Sequence, residues 1–342
     1  MKALTIDGYG LDKVAVREVP DPEPGPKEVV VRLEAAALNH LDLWTLKGSL
    51  NIPHEFPHVL GADGAGKVET LGSEVSGFKR GDPVVINPGL SCGECELCRR
   101  GEQSTCTTFQ LLGEHVAGTF AEKVRVPARN IFPFPQHLSF GEAAALGVTF
   151  ITAYRMLFTR GHMTPGEWIL ITGVGGGLGL SLLQLALPVA GRILVTSSTQ
   201  EKIDRALELG AADGVNYKEE DVAKAVRNKT FKRGVDLVLD SAGGEALASG
   251  IGALRKGGRL VNAGATAGRT TEVDVRRIFW NQLSVIGSTM GADVDVADML
   301  RMVGGTKIKP IVDRTFSLGD GVEALEYLES NERFGKIVLE IG

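Results

Sequence analysis

The sequence predicts an α/β protein in which a doubly wound parallel sheet is combined with a mostly β region. Short runs of β-branched residues, separated by Gly, Pro and Asp, recur in the first third of the 342-residue chain, at 29–33, 84–86 and 124–126. From about residue 141, short apolar segments alternate with helix-length segments, which is typical of a parallel sheet with helices on both faces. Glycine supplies 44 residues, and this excess predicts many tight turns or close backbone approaches.

The composition indicates a folded chain of two domains and argues against several functions. The length corresponds to two domains of roughly 100–200 residues, and 43% of the residues are apolar, which is enough for a buried core. The 37 Lys and Arg residues against 42 Asp and Glu leave a net charge of −5, without the basic excess of nucleic-acid or anionic-membrane binders. No apolar run approaches the ~18 residues of a membrane span, and the start lacks a secretory signal. We therefore expect a cytoplasmic protein with neither a nucleic-acid nor a membrane partner.

The strands and helices of the second half can be placed in order. Strands are expected where apolar residues run continuously, at 168–172, 192–196, 235–240, 258–262 and 283–286. Helices are expected at 178–186 and 201–209, and the first of them should end or kink near Pro188. The tail adds an amphipathic helix through Val322, Leu325 and Leu328 and a strand at 336–339.

A glycine-rich turn lies between the first of these strands and its helix. Residues 172–179 read TGVGGGLG, so the strict G-x-G-x-x-G spacing is absent and the pattern is G-x-x-G-G-x-G. Glycines at such a place let the backbone approach a pyrophosphate, whose charge meets the helix N-terminus. The candidate cofactor-binding residues are Gly173, Gly176, Gly177 and Gly179. A plain glycine turn is the alternative, but the position within a repeating β/α series favours a dinucleotide site.

The end of the next strand bears on which dinucleotide binds. Many NAD enzymes place an acidic residue there, on the ribose 2′-hydroxyl. Here Ser197 and Ser198 take that place, and Lys202 follows. Hydroxyls and an ammonium suit a 2′-phosphate, so the sequence favours NADP(H) over NAD(H). Alternatively, the two serines only cap the next helix.

Four cysteines are the only ones in the chain, and they lie close together in sequence. Cys92, Cys95, Cys98 and Cys106 follow the pattern C-x2-C-x2-C-x7-C. Four thiolates at such spacing match a closed tetrahedral zinc site, which has no open position for a substrate. Disulfides are the alternative, which a cytosolic location and the close spacing disfavour. We predict one structural zinc.

The segment 54–58 matches the zinc-protease pattern H-E-x-x-H letter for letter. That chemistry requires both histidines on one face of a regular helix. Pro57 lies inside the motif and Pro53 precedes it, and proline is incompatible with a helix interior. We therefore predict a loop and no metalloprotease site.

Taken together, these motifs resemble the medium-chain dehydrogenase/reductase superfamily, the group of zinc alcohol dehydrogenases and quinone reductases. The resemblance covers essentially the whole chain and includes the cysteine lobe, the glycine turn and the segments 22–29, 37–42, 60–66 and 335–339. It implies a GroES-like catalytic domain at 1–147 and 290–342, with a zinc lobe at about 88–110. A Rossmann dinucleotide-binding domain at 148–289 is inserted in it, and the active site lies in the cleft. It also implies a homodimer or homotetramer.

The sequence departs from the zinc enzymes of this family at the catalytic-zinc ligands. Asn39 stands at the first ligand position, Ala62 at the second, where Gly-His-Glu has become Gly-Ala-Asp, and Val148 at the third. A catalytic zinc keeps three protein ligands, so these residues predict that it is lost. An alternative is a rebuilt site made of Asp63 with His40 or His58.

The resemblance to zinc-free members suggests the activity. Reducing a quinone or an α,β-unsaturated carbonyl needs no Lewis acid, because conjugation accepts the charge and hydrogen-bond donors suffice. We expect an NAD(P)H-dependent oxidoreductase, favoured as a quinone or enone reductase acting on a small molecule, with Asn39, Asp42 and Asp63 as the candidate catalytic residues. The alternatives are an alcohol dehydrogenase with an unorthodox catalytic site, and a non-enzymatic NADPH-binding or redox-sensing protein.

The resemblance also assigns further residues to the cofactor. Thr152 is expected on the nicotinamide side, Tyr217 and Lys202 at the 2′-phosphate, and Gly264 along the path of the cofactor. Three aromatic residues could line an apolar substrate pocket, although ordinary packing explains them equally well: Tyr9, Trp44 and Phe56.

Overall fold

The computed structural model describes residues 1–49 and 52–342 and divides them into two compact units. The first comprises Met1–Thr149 and Gly291–Gly342, and the second comprises Phe150–Met290. The divisions expected from the sequence are 147/148 and 289/290, against 149/150 and 290/291 for these units. An α/β fold with one inserted parallel-sheet unit is therefore confirmed.

The first unit is built on β-sheets. Its largest sheet has seven strands in the order β10-β6-β5-β3-β18-β17, with β9 also paired to β3. A three-stranded sheet has the order β2-β1-β4, and β7 pairs with β8. The strands are β1 (Lys2–Ile6), β2 (Val14–Glu18), β3 (Glu28–Ala37), β4 (His58–Val59), β5 (Asp63–Leu71), β6 (Pro83–Ile86), β7 (Gly89–Leu90), β8 (Gln110–Leu111), β9 (Lys123–Pro127), β10 (Ile131–Phe132), β17 (Val312–Ser317) and β18 (Lys336–Glu340).

The C-terminal strand β18 brings the tail of the chain beside the N-terminal region. It runs antiparallel to β3, with Val338 opposite Ala37. The amide of Leu38 donates to the carbonyl of Ile337 at 2.9 Å. The residue that begins β18 therefore lies next to the residues that follow β3, although about 300 residues separate them in sequence.

Short helices complete the first unit. They are α1 (His40–Leu46), α2 (Glu96–Arg99), α3 (Phe140–Ala144), α10 (Asp293–Thr306) and α11 (Gly321–Ser330). Helix α4 (Gly147–Tyr154) begins in this unit and leads into the second, where a π-helical turn, Arg155–Arg160, continues it. The apolar face of α11, including Leu325 and Leu328, packs in one core cluster with Leu4 and Leu339.

The second unit contains one parallel sheet of six strands. Their order is β13-β12-β11-β14-β15-β16, which is 3-2-1-4-5-6 within the unit and is the Rossmann order. The strands are β11 (Trp168–Ile171), β12 (Arg192–Ser197), β13 (Asp213–Asn216), β14 (Val235–Asp240), β15 (Leu254–Asn262) and β16 (Ser284–Gly287). The predicted strands therefore form in the expected order.

Helices connect these parallel strands. They are α5 (Gly177–Ala186), α6 (Gln200–Glu208), α7 (Val222–Lys229), α8 (Gly244–Ala253) and α9 (Val275–Trp280). Helix α5 ends at Ala186, two residues before Pro188, as predicted from the missing amide hydrogen of proline. Among residues 1–49 and 52–342, none of the helices combines the length and hydropathy that spanning a bilayer requires.

Candidate active site and cofactor-binding turn

Asn39 and Asp42 are held together where β3 gives way to α1. Asn39 is the N-cap of α1, with an extended backbone at φ −132° and ψ 158°. Its amide donates to Asp42 Oδ2 at 2.7 Å, so the carboxylate satisfies a backbone donor at the start of the helix. Both side chains are buried, at 6% and 1% exposure. This local geometry brings the two predicted catalytic residues into contact.

Burial also changes the acidity of Asp42. Removal from water raises its pKa to about 7, against the lowering effect of the Asn39 amide. The neighbouring negative charge of Asp63 raises the pKa further, while the positive charge of Lys336 lowers it. The Asp42 carboxyl therefore titrates near neutral pH rather than near pH 4.

Asp63 is fully buried at the start of β5, with a partner for each carboxylate oxygen. Oδ1 accepts a hydrogen bond from the backbone amide of Val148 at 2.7 Å, in the first turn of α4. Oδ2 accepts one from the ammonium of Lys336 at 2.9 Å. A Cβ on Gly147 would lie 2.0 Å from Oδ1, so only glycine leaves room for this carboxylate.

Lys336, the first residue of β18, places its ammonium in the middle of this group. Its side chain is 4% exposed. Nζ donates to three oxygens: Leu38 O at 2.7 Å, Asn39 Oδ1 at 2.6 Å and Asp63 Oδ2 at 2.9 Å. The sequence motifs do not assign a role to this residue. The available signal is a cationic residue directly before the apolar run at 337–339, in a segment that carries the family resemblance.

The residues at the three ligand positions do not fit a catalytic zinc. Asn39 offers an amide whose oxygen is bonded to Lys336, and Ala62 and Val148 have hydrocarbon side chains. Zinc in proteins takes thiolate, imidazole or carboxylate ligands. Within residues 1–49 and 52–342, the only cluster of His, Cys, Asp and Glu that could hold a metal is the four cysteines.

The alternative histidines are engaged elsewhere. The ring of His40 packs edge-on against Trp44, with centroids 5.1 Å apart. Nε2 of His58 lies 3.1 Å from the carbonyl of Gly113. A rebuilt site of Asp63 with either histidine therefore does not assemble in the part of the chain that the structure describes.

The H-E-x-x-H segment is a loop, as predicted. His58 begins the two-residue strand β4, and no helix covers residues 52–57. His54 bonds the hydroxyl of Tyr9 at 3.1 Å through Nδ1 and the carbonyl of Glu114 at 2.7 Å through Nε2. Tyr9 also packs edge-on against Phe56. Two of the three candidate pocket aromatics thus meet in this loop, whereas Trp44 packs against His40.

The four cysteine sulfurs have the geometry of a zinc site. They all lie within 4.8 Å of one another, with separations of 3.9 Å (Cys92–Cys98), 3.9 Å (Cys95–Cys106) and 3.6 Å (Cys92–Cys106). A tetrahedron with Zn–S bonds of about 2.3 Å has sulfurs roughly 3.8 Å apart. None of the four forms a disulfide. These residues fit a structural zinc.

Backbone amides support this cluster. The amides of Cys92, Cys95 and Cys98 donate to the sulfurs of Cys106, Cys92 and Cys95 at 3.3, 3.3 and 3.5 Å. Such hydrogen bonds stabilise thiolate ligands and fix their orientation. The lobe is therefore folded around the sulfurs rather than merely containing them.

The glycine-rich turn follows β11 and opens α5. Gly173 has φ +69°, a conformation that favours glycine. Gly176 is the N-cap of α5, which begins at Gly177. A Cβ on Gly179 would lie 2.6 Å from the carbonyl of Gly173, so this glycine allows the helix to pack close to the turn. These are the conditions under which a pyrophosphate can approach the backbone at a helix N-terminus.

A buried carboxylate that the sequence analysis did not single out ties the strand ends together beside this turn. Asp240 accepts from the hydroxyl of Thr172 at 2.6 Å and from the side-chain amide of Asn262 at 2.8 Å. That amide also donates to the carbonyl of Gly264 at 2.9 Å. A Cβ on Gly264 would lie 2.0 Å from the carbonyl of Ser241, so the chain requires glycine there.

The residues expected at the adenosine end lie at or after the ends of two neighbouring strands, β12 and β13. Thr199, not either serine, is the N-cap of α6, and its hydroxyl accepts from the Lys202 amide at 3.4 Å. The capping explanation for Ser197 and Ser198 is therefore wrong. The amide of Tyr217 donates to the carbonyl of Ser197 at 3.1 Å, and the Tyr217 side chain is exposed.

The side chains of Lys202 and Thr152 make contacts of their own. The stem of Lys202 lies over the glycine turn, because its Cδ would be 2.8 Å from a Cβ on Gly175. Thr152 is buried, and its hydroxyl donates to the sulfur of Met290 at 3.8 Å.

Comparison with known proteins identifies the family. Residues 25–136 match the alcohol dehydrogenase GroES-like domain family, and residues 177–304 match the zinc-binding dehydrogenase family. The chain is 31% identical to an NAD-dependent alcohol dehydrogenase of Saccharolobus solfataricus, over 99% of each chain. It belongs to the medium-chain dehydrogenase/reductase superfamily. This confirms the resemblance and makes the chain an oxidoreductase family member.

Two further relatives of this superfamily bear on the activity. An acryloyl-coenzyme A reductase of Sulfurisphaera tokodaii is 28% identical, over 99% of this chain and 100% of that protein. A crystal structure of an NAD-dependent alcohol dehydrogenase is 42% identical, with a TM-score of 0.93 and 100% of both chains covered. Similar chains thus include NAD-dependent alcohol dehydrogenases and an acryloyl-coenzyme A reductase.

Proposed function

We propose that this medium-chain oxidoreductase reduces quinones or α,β-unsaturated carbonyl compounds with NADPH. The observation that carries the proposal is the buried group of Asn39, Asp63 and Lys336, in which the side-chain NH₂ of Asn39 is a hydrogen-bond donor at a position where a zinc enzyme has a metal ligand. An unactivated alcohol needs a Lewis acid to stabilise the alkoxide formed as its hydride leaves. A conjugated carbonyl needs only donors directed at its oxygen.

The proposed reaction needs no catalytic metal. NADPH, when bound, would supply the hydride that the β-carbon of the conjugated substrate accepts. The amide NH₂ of Asn39 donates a hydrogen bond to the carbonyl oxygen, where the electron pair displaced from the double bond collects. A proton from water completes the saturated product, or the hydroquinone where the substrate is a quinone. In this proposal Asp42 and Asp63 hold Asn39 and Lys336 in place.

The preference for NADPH rests on the residues that follow β12. This strand ends in Ser197, and Ser198 and Thr199 follow, so no carboxylate stands there to repel a 2′-phosphate. Lys202 and Tyr217 complete the proposed phosphate site. The Saccharolobus relative bears an NAD-dependent name, so the preference for NADPH is a proposal specific to this chain.

An alcohol dehydrogenase is the second candidate, and the names of several relatives favour it. The two functions can be distinguished by measuring turnover of a panel of substrates and counting the zinc ions bound per chain. We expect NADPH oxidation, followed at 340 nm, with 1,4-benzoquinone or 2-cyclohexenone, and one zinc per chain. NADP⁺ or NAD⁺ reduction by simple alcohols together with two zinc ions per chain would instead indicate the alcohol dehydrogenase. No turnover in either direction, with tight NADPH binding, would indicate a binding or sensing protein.

We also propose that the chain forms a homodimer or homotetramer in the cytoplasm. Exposed apolar side chains on helix α9 and on the edge strand β16 support self-association. These side chains are Val275, Phe279, Trp280 and Val285. Analytical ultracentrifugation tests the assembly, and a monomer at micromolar concentration would contradict it.

A further inference from the structure

The ammonium of Lys336 uses all three of its hydrogens within the protein. Its acceptors are one charged oxygen, on Asp63, and two neutral ones, on Leu38 and Asn39, all between 2.6 and 2.9 Å away. A lysine ammonium has three donors and no acceptor. It therefore has no hydrogen left for a substrate and cannot act as the proton donor while these contacts hold.

The contact with Asn39 determines which way that side-chain amide faces. The ammonium requires an acceptor, so the amide must present Oδ1 to it, because the reversed amide would direct NH₂ at a positive donor. One hydrogen of Nδ2 then points toward the carbonyl of Ala37, at a long 3.5 Å. The other hydrogen has no acceptor among residues 1–49 and 52–342 and remains for a ligand. Without Lys336, both orientations of the amide would become accessible.

We propose that Lys336 is the cation that replaces the catalytic metal in this chain, and that it acts by fixing Asn39 as a hydrogen-bond donor to the substrate oxygen. Lys336 is thus a positioning residue, and Asn39 is the group that contacts the substrate. The inference rests on the proposed function. It extends that function by explaining how a site without metal ligands retains a directed donor.

The surroundings of Lys336 suit this role better than that of a simple counter-ion to Asp63. A buried ion pair on its own contributes little net stability, since desolvation offsets the attraction. Here Asp63 is anchored independently by the Val148 amide at 2.7 Å, and the ammonium is shared with the carbonyl of Leu38. Both anchors hold Nζ in one position relative to Asn39, which is what control of the amide orientation requires.

The test replaces Lys336 and Asp63 together, so that neither leaves an unpaired buried charge. In Lys336→Met/Asp63→Asn, each new side chain is neutral and close in size to the one it replaces. The protein should therefore keep its fold, one zinc per chain and its affinity for NADPH within two-fold. We expect kcat for 2-cyclohexenone to fall at least ten-fold, with a smaller change in KM. A kcat equal to that of the unaltered protein would overturn the proposal and leave Lys336 as a counter-ion only.

Repeating the double substitution in the Asn39→Ala variant shows whether Lys336 acts through Asn39. Asn39→Ala removes the proposed donor and should itself lower kcat strongly. In that background, adding Lys336→Met/Asp63→Asn should lower kcat by less than a further two-fold, because the amide that Lys336 orients is gone. The same ten-fold loss in both backgrounds would show independent roles and contradict the proposal.

A measurement without substrate separates this inference from the proposed function. In protein carrying ¹⁵N-asparagine, the side-chain NH₂ signal of Asn39 is identified by its loss in Asn39→Ala. Loss of the ammonium should shift that signal, or broaden it through exchange of the two orientations, in Lys336→Met/Asp63→Asn. An unchanged signal would overturn the role of Lys336. A shifted signal in a protein that reduces no conjugated carbonyl would instead retain the contact and reject the reductase function.

Discussion

Lys336 and Asp63 are separated by 273 residues in sequence, yet Nζ of one lies 2.9 Å from Oδ2 of the other, with both side chains buried. The pairing of β18 with β3 produces this meeting, because it places the start of the last strand beside the residues that follow β3. The tail of the chain is thus part of the candidate active site.

The first prediction concerns the contribution of this ion pair to stability. Lys336→Met leaves Asp63 buried and uncompensated, and it should lower the free energy of unfolding by about 3–5 kcal/mol. Adding Asp63→Asn should restore most of that loss. Lys67, whose ammonium lies 2.9 Å from Glu34 on a more exposed part of the surface, is the matched control, and Lys67→Met should cost less than about 1 kcal/mol. Urea unfolding measures all three variants, and equal losses for the two single variants would contradict the prediction.

The second prediction uses the raised pKa of Asp42. The folded protein holds the proton up to about pH 7, whereas the unfolded chain releases it near pH 4. The folded state therefore binds more protons between these values, and the contribution of Asp42 to stability falls as pH rises through that window. Asp42→Asn, which keeps an acceptor for the Asn39 amide but cannot ionise, should match the unaltered protein near pH 4. Above pH 7 it should be more stable by an amount on the order of 2–4 kcal/mol.

Unfolding experiments at several pH values test this difference. The exposed Glu220 provides a control, because Glu220→Gln should change stability little at any pH. A constant difference between Asp42→Asn and the unaltered protein across pH 4–8 would show that the Asp42 carboxyl titrates alike in the folded and unfolded states.

Parts of this architecture follow directly from local sequence, and other parts do not. The apolar strand at 168–171 and the glycine turn after it are both encoded within a few neighbouring residues, the first by a continuous apolar run and the second by its glycines. Both form as predicted. Strand β13 (Asp213–Asn216) was not identified, since its DGVN sequence contains Asp, Gly and Asn, which are depleted in strands. Its position at the sheet edge beside β12 overrides that local preference.

The candidate site was likewise predictable only in part. Asn39 and Asp42 are three residues apart and meet through a helix cap, which is a local feature. Lys336 comes from the opposite end of the chain and reaches the site because β18 pairs with β3. A contact between residues so far apart cannot be predicted from the spacing of residues in a motif. The role of Gly147 depends on the carboxylate of Asp63, 84 positions earlier in sequence. Long-range contacts of this kind require the fold itself.

The third prediction concerns the choice between the two cofactors. Lys202→Met should weaken NADPH binding roughly ten-fold, since a charge-assisted hydrogen bond to phosphate contributes on the order of 1.5 kcal/mol. NADH, which has no 2′-phosphate, should bind the variant and the unaltered protein alike. Lys218→Met, in the turn after β13, is the control for a general loss of positive charge. Fluorescence titration of the three proteins with both cofactors gives the six dissociation constants needed, and an equal loss for NADH and NADPH would remove Lys202 from the phosphate site.

The fourth prediction concerns the cysteine lobe. Removing zinc with a chelator, or breaking the site with Cys98→Ser, should lower the melting temperature, because metal binding at a closed site contributes directly to folding. Affinity for NADPH should remain within about two-fold before unfolding begins, since the glycine turn belongs to the other unit. Zinc analysis should return one ion per chain in the native protein and none in Cys98→Ser. A variant that keeps its melting temperature without the metal would show that the sulfur cluster does not depend on zinc.

The last prediction tests the close backbone approach at Gly264. A methyl group there would lie 2.0 Å from the carbonyl of Ser241, and neither backbone can shift without disturbing the strand ends that Asp240 holds. Gly264→Ala should therefore lower stability by about 1–3 kcal/mol and weaken both NADPH and NADH. Gly287 in β16 is the matched control, because a Cβ there meets no atom within 4 Å. Gly287→Ala should leave cofactor binding unchanged. If the two alanine variants bind NADPH equally well, the Gly264 backbone is not part of the cofactor path, because a steric displacement of that size at the turn would have to reach a ligand lying against it.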